Sequence, residues 1–121
     1  MNSFTTTSAY APSNIVDKRF RLFPHTNDGT QISIDIVTHV SQSDALVEDD
    51  YGYEHLGEYS YSVTGLKSAT YTLKEFDSNF QIKYTYQMKL IFTSTSGGDI
   101  IMGIRTDTNG ESVPFTGSFY F

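Results

Sequence analysis

The sequence has 121 residues, enough for one compact domain, and its β-branched and aromatic residues outnumber the strong helix formers, which excludes an all-α protein. Eight basic and 14 acidic residues give a net charge of -6, the wrong sign for gripping nucleic acid or an anionic membrane surface. The absence of cysteine excludes disulfides, thiolate nucleophiles and cysteine-ligated metal sites.

The chain starts with a polar segment. Residues 1–14 are rich in Ser and Thr, and Pro12 interrupts regular structure, so we predict a flexible N-terminal tail followed by a single domain over residues 15–121. The chain as given has neither the regions of a signal peptide nor a run near the roughly 18 apolar residues of a membrane helix. We therefore expect a cytoplasmic protein by default, or a secreted one if a signal was removed.

Alternation of apolar and polar residues predicts strands throughout the domain. In chain order they cover residues 18–23, 31–40, 57–63, 68–73, 80–92, 100–104 and 113–121, with a weaker eighth segment at residues 44–47. The pattern is clearest in residues 80–92, where every even position, from Phe80 and Ile82 to Phe92, carries a large apolar or aromatic side chain. We expect this stripe to face a core. Residues 100–104 are too uniformly apolar for their faces to be assigned.

Turn residues separate the predicted strands. Residues 27–29, 64–65, 77–79, 97–98 and 109–110 are rich in Gly, Asn and Asp, and Asn109-Gly110 predicts a type I′ hairpin turn. Residues 41–56 leave room for a longer loop or a short helix. Short reversals join neighbours antiparallel, so we predict an all-β fold, an antiparallel up-and-down meander barrel of about eight strands. A two-sheet β-sandwich is the alternative, since periodicity does not distinguish closure from stacking.

Several stretches carry a resemblance to a known group of domains: GEYSYSVTGLKSATYTL at 57–73, YQMKLIFTSTSGG at 86–98 and FTGSFYF at 115–121. Their order and spacing resemble the G-x-Y-x-Y, A-T-x-T-L, L-x-F-T-S-x-T-S-G and G-x-F-x-F run of bacterial calycin-like barrel domains. APSNIVDKRFRL, at residues 11–22, is similar to the P-S-x-x-x-K segment that leads into their first strand.

The resemblance covers roughly residues 11–121 and implies a small barrel related in architecture to lipocalins and avidins. It implies no activity, because a fold does not dictate a function. The chain has no Trp, so it lacks both the lipocalin G-x-W motif and the biotin-binding Trp residues of avidins. Lipocalin or biotin chemistry is therefore not carried over.

Aromatic residues on the presumed inner face are the candidate ligand-binding residues: Phe20, Tyr59, Tyr61, Tyr71, Tyr84, Tyr86 and Phe119. A buried tyrosine hydroxyl needs a hydrogen-bond partner, which a ligand can supply. The favoured hypothesis is a non-enzymatic small-molecule-binding barrel whose aromatic-lined mouth holds an amphipathic or aromatic ligand, with Ala69 and Gly117 leaving space for it. The alternative is a structural or protein-interaction module with a filled barrel, which self-associates into a homo-oligomer through strand edges or outer faces.

No motif indicates catalysis, a metal or a cofactor. His25, His39 and His55 lack the paired spacing of metal ligands, and we expect each at the surface; His55, beside Glu54, is the best placed if a catalytic residue exists. The acidic run at residues 48–50 lacks calcium-loop spacing and is expected to be solvated. We predict no catalytic residue, no metal and no cofactor, and neither nucleic acid nor a membrane as partner.

Overall fold

The computed structural model describes residues 10–121, in which the regular structure consists of eight β-strands. They are β1 (Arg19–His25), β2 (Ile36–His39), β3 (Asp44–Glu48), β4 (Glu54–Gly65), β5 (Ser68–Phe76), β6 (Ile82–Ser94), β7 (Gly97–Asp107) and β8 (Ser112–Tyr120). Each strand pairs antiparallel with its neighbours in sequence, and β8 pairs with β1, so the sheet closes. The predicted all-β up-and-down barrel is confirmed, including its weaker segment, now β3. Residues 10–121 contain no helix with the length and apolarity needed to span a bilayer.

Strand β5 illustrates how alternation builds the interior. Ala69, Tyr71 and Leu73 are buried, whereas Thr70 and Lys74, on the opposite parity, are exposed. The inward side chains of the eight strands form one continuous apolar core, because closing the barrel removes one face of every strand from water.

The sequence predicted that the even-numbered residues from 80 to 92 face the core. This is confirmed for residues 86–92, which are buried, and is wrong at the beginning of the segment. Phe80 and Ile82 are 70% and 42% exposed. Phe80 precedes the strand, and the pairing of β5 with β6 shifts register between Glu75 and Phe76. This irregularity interrupts the period-two alternation, so both side chains lie on the outer surface.

Strand β2 is shorter than the predicted residues 31–40. Ile36 is buried, but it pairs with the exposed Arg21 and so belongs to the outer face. The inward residues are Val37 and His39. Residues 41–56 form a turn, β3, a second turn and the start of β4, so the helix allowed there is wrong.

Strand β7 contains a bulge that explains why its faces were unassigned. Met102 has a left-handed φ of 53° and is 75% exposed, and the register with β8 shifts between Ile100 and Gly103. Beyond the bulge Gly103 lies against Phe115, whose ring is 2.6 Å from where a Cβ on Gly103 would stand. The bulge thus decides that Arg105 faces inward.

The two ends of the barrel differ. At one, which we call the N-terminal end, Ala11 and Ile15 are buried against the core. The Ala11 amide donates to the Leu66 carbonyl at 3.0 Å, and the Tyr61 hydroxyl donates to the Pro12 carbonyl at 2.7 Å. Residues 10–14, placed by sequence in the tail of residues 1–14, therefore lie across this end; residues 1–9 of that tail are outside the described part of the chain.

Four hairpin turns of one conformation, at residues 26–30, 49–53, 77–81 and 107–111, define the opposite end, which we call the turn end. In the last, the Asp107 amide donates to the Glu111 carbonyl and the Gly110 amide to the Asp107 carbonyl, at 3.0 and 3.1 Å. Gly110 has a positive φ of 79° but Asn109 does not, so the predicted type I′ turn is wrong. The loop is a type I turn followed by a left-handed residue.

Candidate functional site

Four titratable side chains linked by close polar contacts lie inside the barrel at its turn end. Asp49 follows β3, His55 and Glu75 belong to β4 and β5, and Tyr86 belongs to β6. The His55 Nε2 atom lies 3.2 Å from Asp49 Oδ2 and 3.7 Å from Glu75 Oε2. The Tyr86 hydroxyl donates to Glu75 Oε1 at 2.9 Å. Four adjacent segments of the barrel wall thus contribute to one polar network.

The environment separates the pKa values of the two carboxyls. Desolvation opposes ionisation of Asp49, but hydrogen bonds from the Tyr53 amide, from His55 and from the Tyr51 amide outweigh it and lower the pKa of Asp49. Desolvation raises the pKa of Glu75, and burial together with the Glu75 carboxyl raises the pKa of Tyr86. Asp49 is thus the stable anion of the network, and Tyr86 remains a protonated donor.

Arg105 lies beside this network. Its guanidinium carbon is 4.5 Å from the centroid of the Tyr84 ring, which in turn stacks on Tyr86 at 5.9 Å. The Arg105 Nε atom is buried and has no hydrogen-bond partner within residues 10–121. The ion pairs of this part of the chain both involve His55, so no carboxylate within ion-pair distance neutralises Arg105.

A depression of about 490 Å³ adjoins Arg105. Its apolar wall consists of Ile32, Val113 and Pro114, and its polar wall is the turn at residues 26–31. The volume is within the range of small-molecule pockets, about 300–1,000 Å³. Its polar wall includes the Asp28 carboxylate, so the depression presents one cation and one anion beside an apolar wall.

The seven aromatic residues named from sequence divide between the two ends. Tyr84 and Tyr86 lie at the turn end, in the network just described. Phe20, Tyr71 and Phe119 are at most 1% exposed and pack together, with the Phe20 ring 5.8 Å from Tyr71 and 5.5 Å from Phe119.

The two remaining candidates, Tyr59 and Tyr61, also have their hydroxyls satisfied within the protein. Tyr59 donates to the Ser41 carbonyl, and Tyr61 donates to the Pro12 carbonyl. The small inward residues do not open a space near them: Ala69 is fully buried, and a Cβ on Gly117 would clash with the backbone of Phe23.

His39 lies among these rings, so its predicted place at the surface is wrong. It is fully buried, and its ring is 4.6 Å from Phe20 and 4.5 Å from Tyr59. The Nδ1 atom lies 2.8 Å from the Lys18 carbonyl, which can only accept, so Nδ1 carries the proton and Nε2 accepts from the Tyr71 hydroxyl at 2.7 Å. Desolvation lowers the pKa of His39 to about 4. We call Phe20, His39, Tyr71, Phe92 and Phe119 the ring cluster.

Sequence reasoning missed Glu75 and Arg105. Glu75 continues the inward parity of Ala69, Tyr71 and Leu73, so extending β5 by two residues would have found it. Arg105 carried no such signal, because the bulge at Met102 reverses the parity of β7.

No family model, curated protein or solved structure matches the chain. Within residues 10–121, no group of three or more His, Asp or Glu side chains could hold a metal ion. The chemistry of the turn end is therefore the basis on which a function is proposed.

Proposed function

We propose that this barrel is a non-enzymatic binding protein that holds a small amphipathic or aromatic molecule with an anionic head group at its turn end. The observation that carries the proposal is Arg105, whose buried Nε has no partner among the described residues and which lines a pocket-sized depression. A buried donor without a partner costs about 1–3 kcal/mol, and a bound carboxylate would remove that cost. The planar guanidinium matches the two oxygens of a carboxylate.

Neighbouring residues would orient the ligand. Tyr84, stacked with Arg105, would hold the guanidinium in place, and Ile32, Val113 and Pro114 offer an apolar wall. The Asp28 carboxylate, in the polar wall of the same depression, would repel a second negative charge, which favours a monoanion over a dianion.

The ring cluster limits how deep the ligand would reach. Phe92 packs edge-on against Phe119 at 5.1 Å, and Phe20 lies 5.5 Å from the same ring, so these side chains fill space with one another. Neither Tyr84 nor Tyr86 lines the depression, so Tyr84 would position the Arg105 guanidinium by stacking on it, and the buried Tyr86 would support Tyr84. Of the other predicted residues, Phe20, Tyr59, Tyr61, Tyr71 and Phe119 would support the barrel beneath the ligand.

Membership of the bacterial calycin-like group is part of the same proposal. A closed barrel of eight antiparallel strands in chain order is the architecture that the resemblance implies. An eight-stranded barrel has an interior that side chains can fill or that can hold one small ligand, and this chain would combine the two at opposite ends.

Calorimetric titration with an aromatic carboxylate and with its neutral amide tests the proposal. We expect the carboxylate to bind and the amide to bind at least about tenfold more weakly, since a charge-assisted hydrogen bond is worth about 1.5–3 kcal/mol. Arg105→Gln should weaken carboxylate binding by about 10- to 100-fold. Arg19→Gln, at an exposed position on β1, is the matched control. Equal affinity of the wild type and Arg105→Gln would contradict the proposal.

A protein-interaction module with a filled barrel is the second candidate, and the packed ring cluster favours it. Because every strand pairs on both sides, such a module would associate through its outer faces rather than through strand edges. Native mass spectrometry of protein purified from its host separates the candidates: a retained small molecule supports the binding protein, and a ligand-free oligomer supports the module.

A further inference from the structure

The outer face of the β3–β4 ladder has an unusual charge pattern. Its directly opposed residues are, in order, Asp44 with Glu58, Leu46 with Leu56, and Glu48 with Glu54. An apolar pair thus lies between two pairs of like charge, two residues away in each direction. Three of the four acidic side chains are exposed, and Leu56 is 51% exposed.

This pattern is unfavourable in the isolated protein. Like charges directly across an antiparallel ladder repel, and an exposed leucine pair occupies positions where polar residues are expected. Lys74 stands opposite Glu58 on the β5 side. Both ion pairs of residues 10–121 involve His55, so none of these four carboxylates is ion-paired there.

Phe80 is a second unfavourable feature on the same surface. The fourth residue of each hairpin turn at the turn end has a left-handed φ, and in three turns it is a glycine: Gly29, Gly52 and Gly110. The fourth turn has Phe80, with a φ of 61°. Its ring is 70% exposed, so core burial does not offset the strain.

Phe80 links this turn to the acidic ladder. Depressions of about 460 and 510 Å³ both include Leu56, Phe76 and Phe80 in their walls. The first extends to Leu46 and the Asp44 and Glu58 carboxylates. The second extends to Glu54 and Asp77, and its basic side chains are Lys83 and His55. We call Leu46, Leu56, Phe76 and Phe80, with the four carboxylates of the ladder, the Phe80 surface.

We propose that the Phe80 surface binds a basic segment of a protein partner, in which a bulky apolar side chain is flanked by Lys or Arg. The apolar side chain would enter beside Phe80 and the leucine pair, and the flanking cations would separate the like-charged carboxylates. Binding would thereby relieve the repulsion that the free protein carries.

Spacing and charge select this partner. In an extended segment, residues two apart lie on one face about 7 Å apart, which matches the two-residue spacing between the leucine pair and each acidic pair. A second copy of this chain would bring the same acidic ladder and a net charge of -6 to the contact, so it is the disfavoured occupant.

Fluorescence anisotropy with a labelled nine-residue peptide tests the proposal. The probe has Phe at its centre, Arg two residues to either side, and Ser or Thr elsewhere. We expect it to bind the full chain, and to bind several-fold more weakly when salt rises from about 50 to about 300 mM. Peptides with Glu in place of Arg, or Ser in place of Phe, should each bind at least about tenfold more weakly.

Two pairs of variants locate the binding. Phe80→Gly should weaken peptide binding at least about tenfold without lowering Tm, since it removes strain and an exposed ring. Met102→Gly, which replaces another exposed left-handed residue on β7, should leave binding unchanged. Glu54→Gln with Glu58→Gln should weaken binding, whereas Asp99→Asn with Glu111→Gln, of equal charge change, should not.

The remaining outcomes would overturn the proposal. They are no binding of the Arg peptide, equal binding of the Glu peptide, binding insensitive to Phe80→Gly, and self-association through this surface. Arg105→Gln should bind the peptide as the wild type does, so failure of the ligand site at the turn end would leave this result intact.

Discussion

His39 shows how one buried side chain can govern the response to acid. Its ring is fully buried between the Lys18 carbonyl and the Tyr71 hydroxyl, and desolvation lowers its pKa to about 4. The unfolded chain, with a His pKa near 6.5, takes up the proton first as the pH falls. The contribution of neutral His39 to stability is therefore fully present above about pH 6.5 and is lost between there and about pH 4.

We expect this loss to be about 3 kcal/mol, the equivalent of the lowered pKa, over that pH range. Urea unfolding of the wild type and of His39→Gln, measured from about pH 7 to about pH 4, checks it. The difference between the two free energies of unfolding should shrink by that amount as the pH falls, because the other titratable groups are common to both proteins. A constant difference would mean that His39 is accessible to solvent.

Strand β6 carries the most direct test of an element. Tyr86 is 1% exposed and donates to Glu75, whereas Tyr84, two residues earlier on the same face, is half-buried. Tyr86→Ala should lower the free energy of unfolding by about 3–5 kcal/mol, and Tyr84→Ala by about 1–2 kcal/mol. Gln87→Ala, exposed on the same strand, should change it by less than about 0.5 kcal/mol. Chemical denaturation gives all three values, and a Tyr86→Ala variant as stable as the wild type would mean that the faces of β6 are reversed.

The strands differ in how much of them the sequence predicts. Strands β5 and β6 alternate regularly over long runs, so their inward faces could be read from residues 69–73 and 84–92. Strand β7 could not be read in this way, because the bulge at Met102 shifts the parity in a run where both faces are apolar. The sequence did not predict the outward position of Ile36 either. An apolar residue suggests an inward position, but Ile36 is buried on the outer side of β2, opposite the exposed Arg21.

At the scale of the whole molecule, the two ends of the closed barrel contain different kinds of side chain. Residues 10–15 and the ring cluster fill the N-terminal end, and the polar network occupies the turn end. Strand count and short turns favoured closure, but the sequence left a two-sheet sandwich open, and the pairing of β8 with β1 decides between them. The network was not predictable, because Asp49, His55, Glu75 and Tyr86 come from four segments of the barrel wall, and the pairing register decides which of their side chains meet.

Arginine-selective ¹⁵N NMR during titration with an aromatic carboxylate tests the central claim most directly. The Nε–H signal of Arg105, identified by its loss in Arg105→Gln, reports on a donor for which residues 10–121 provide no partner. A new hydrogen bond to the ligand should shift this signal in a saturable way, and the neutral amide should leave it unmoved. An Arg105 signal that stays in place while the carboxylate binds elsewhere on the barrel would contradict the claim.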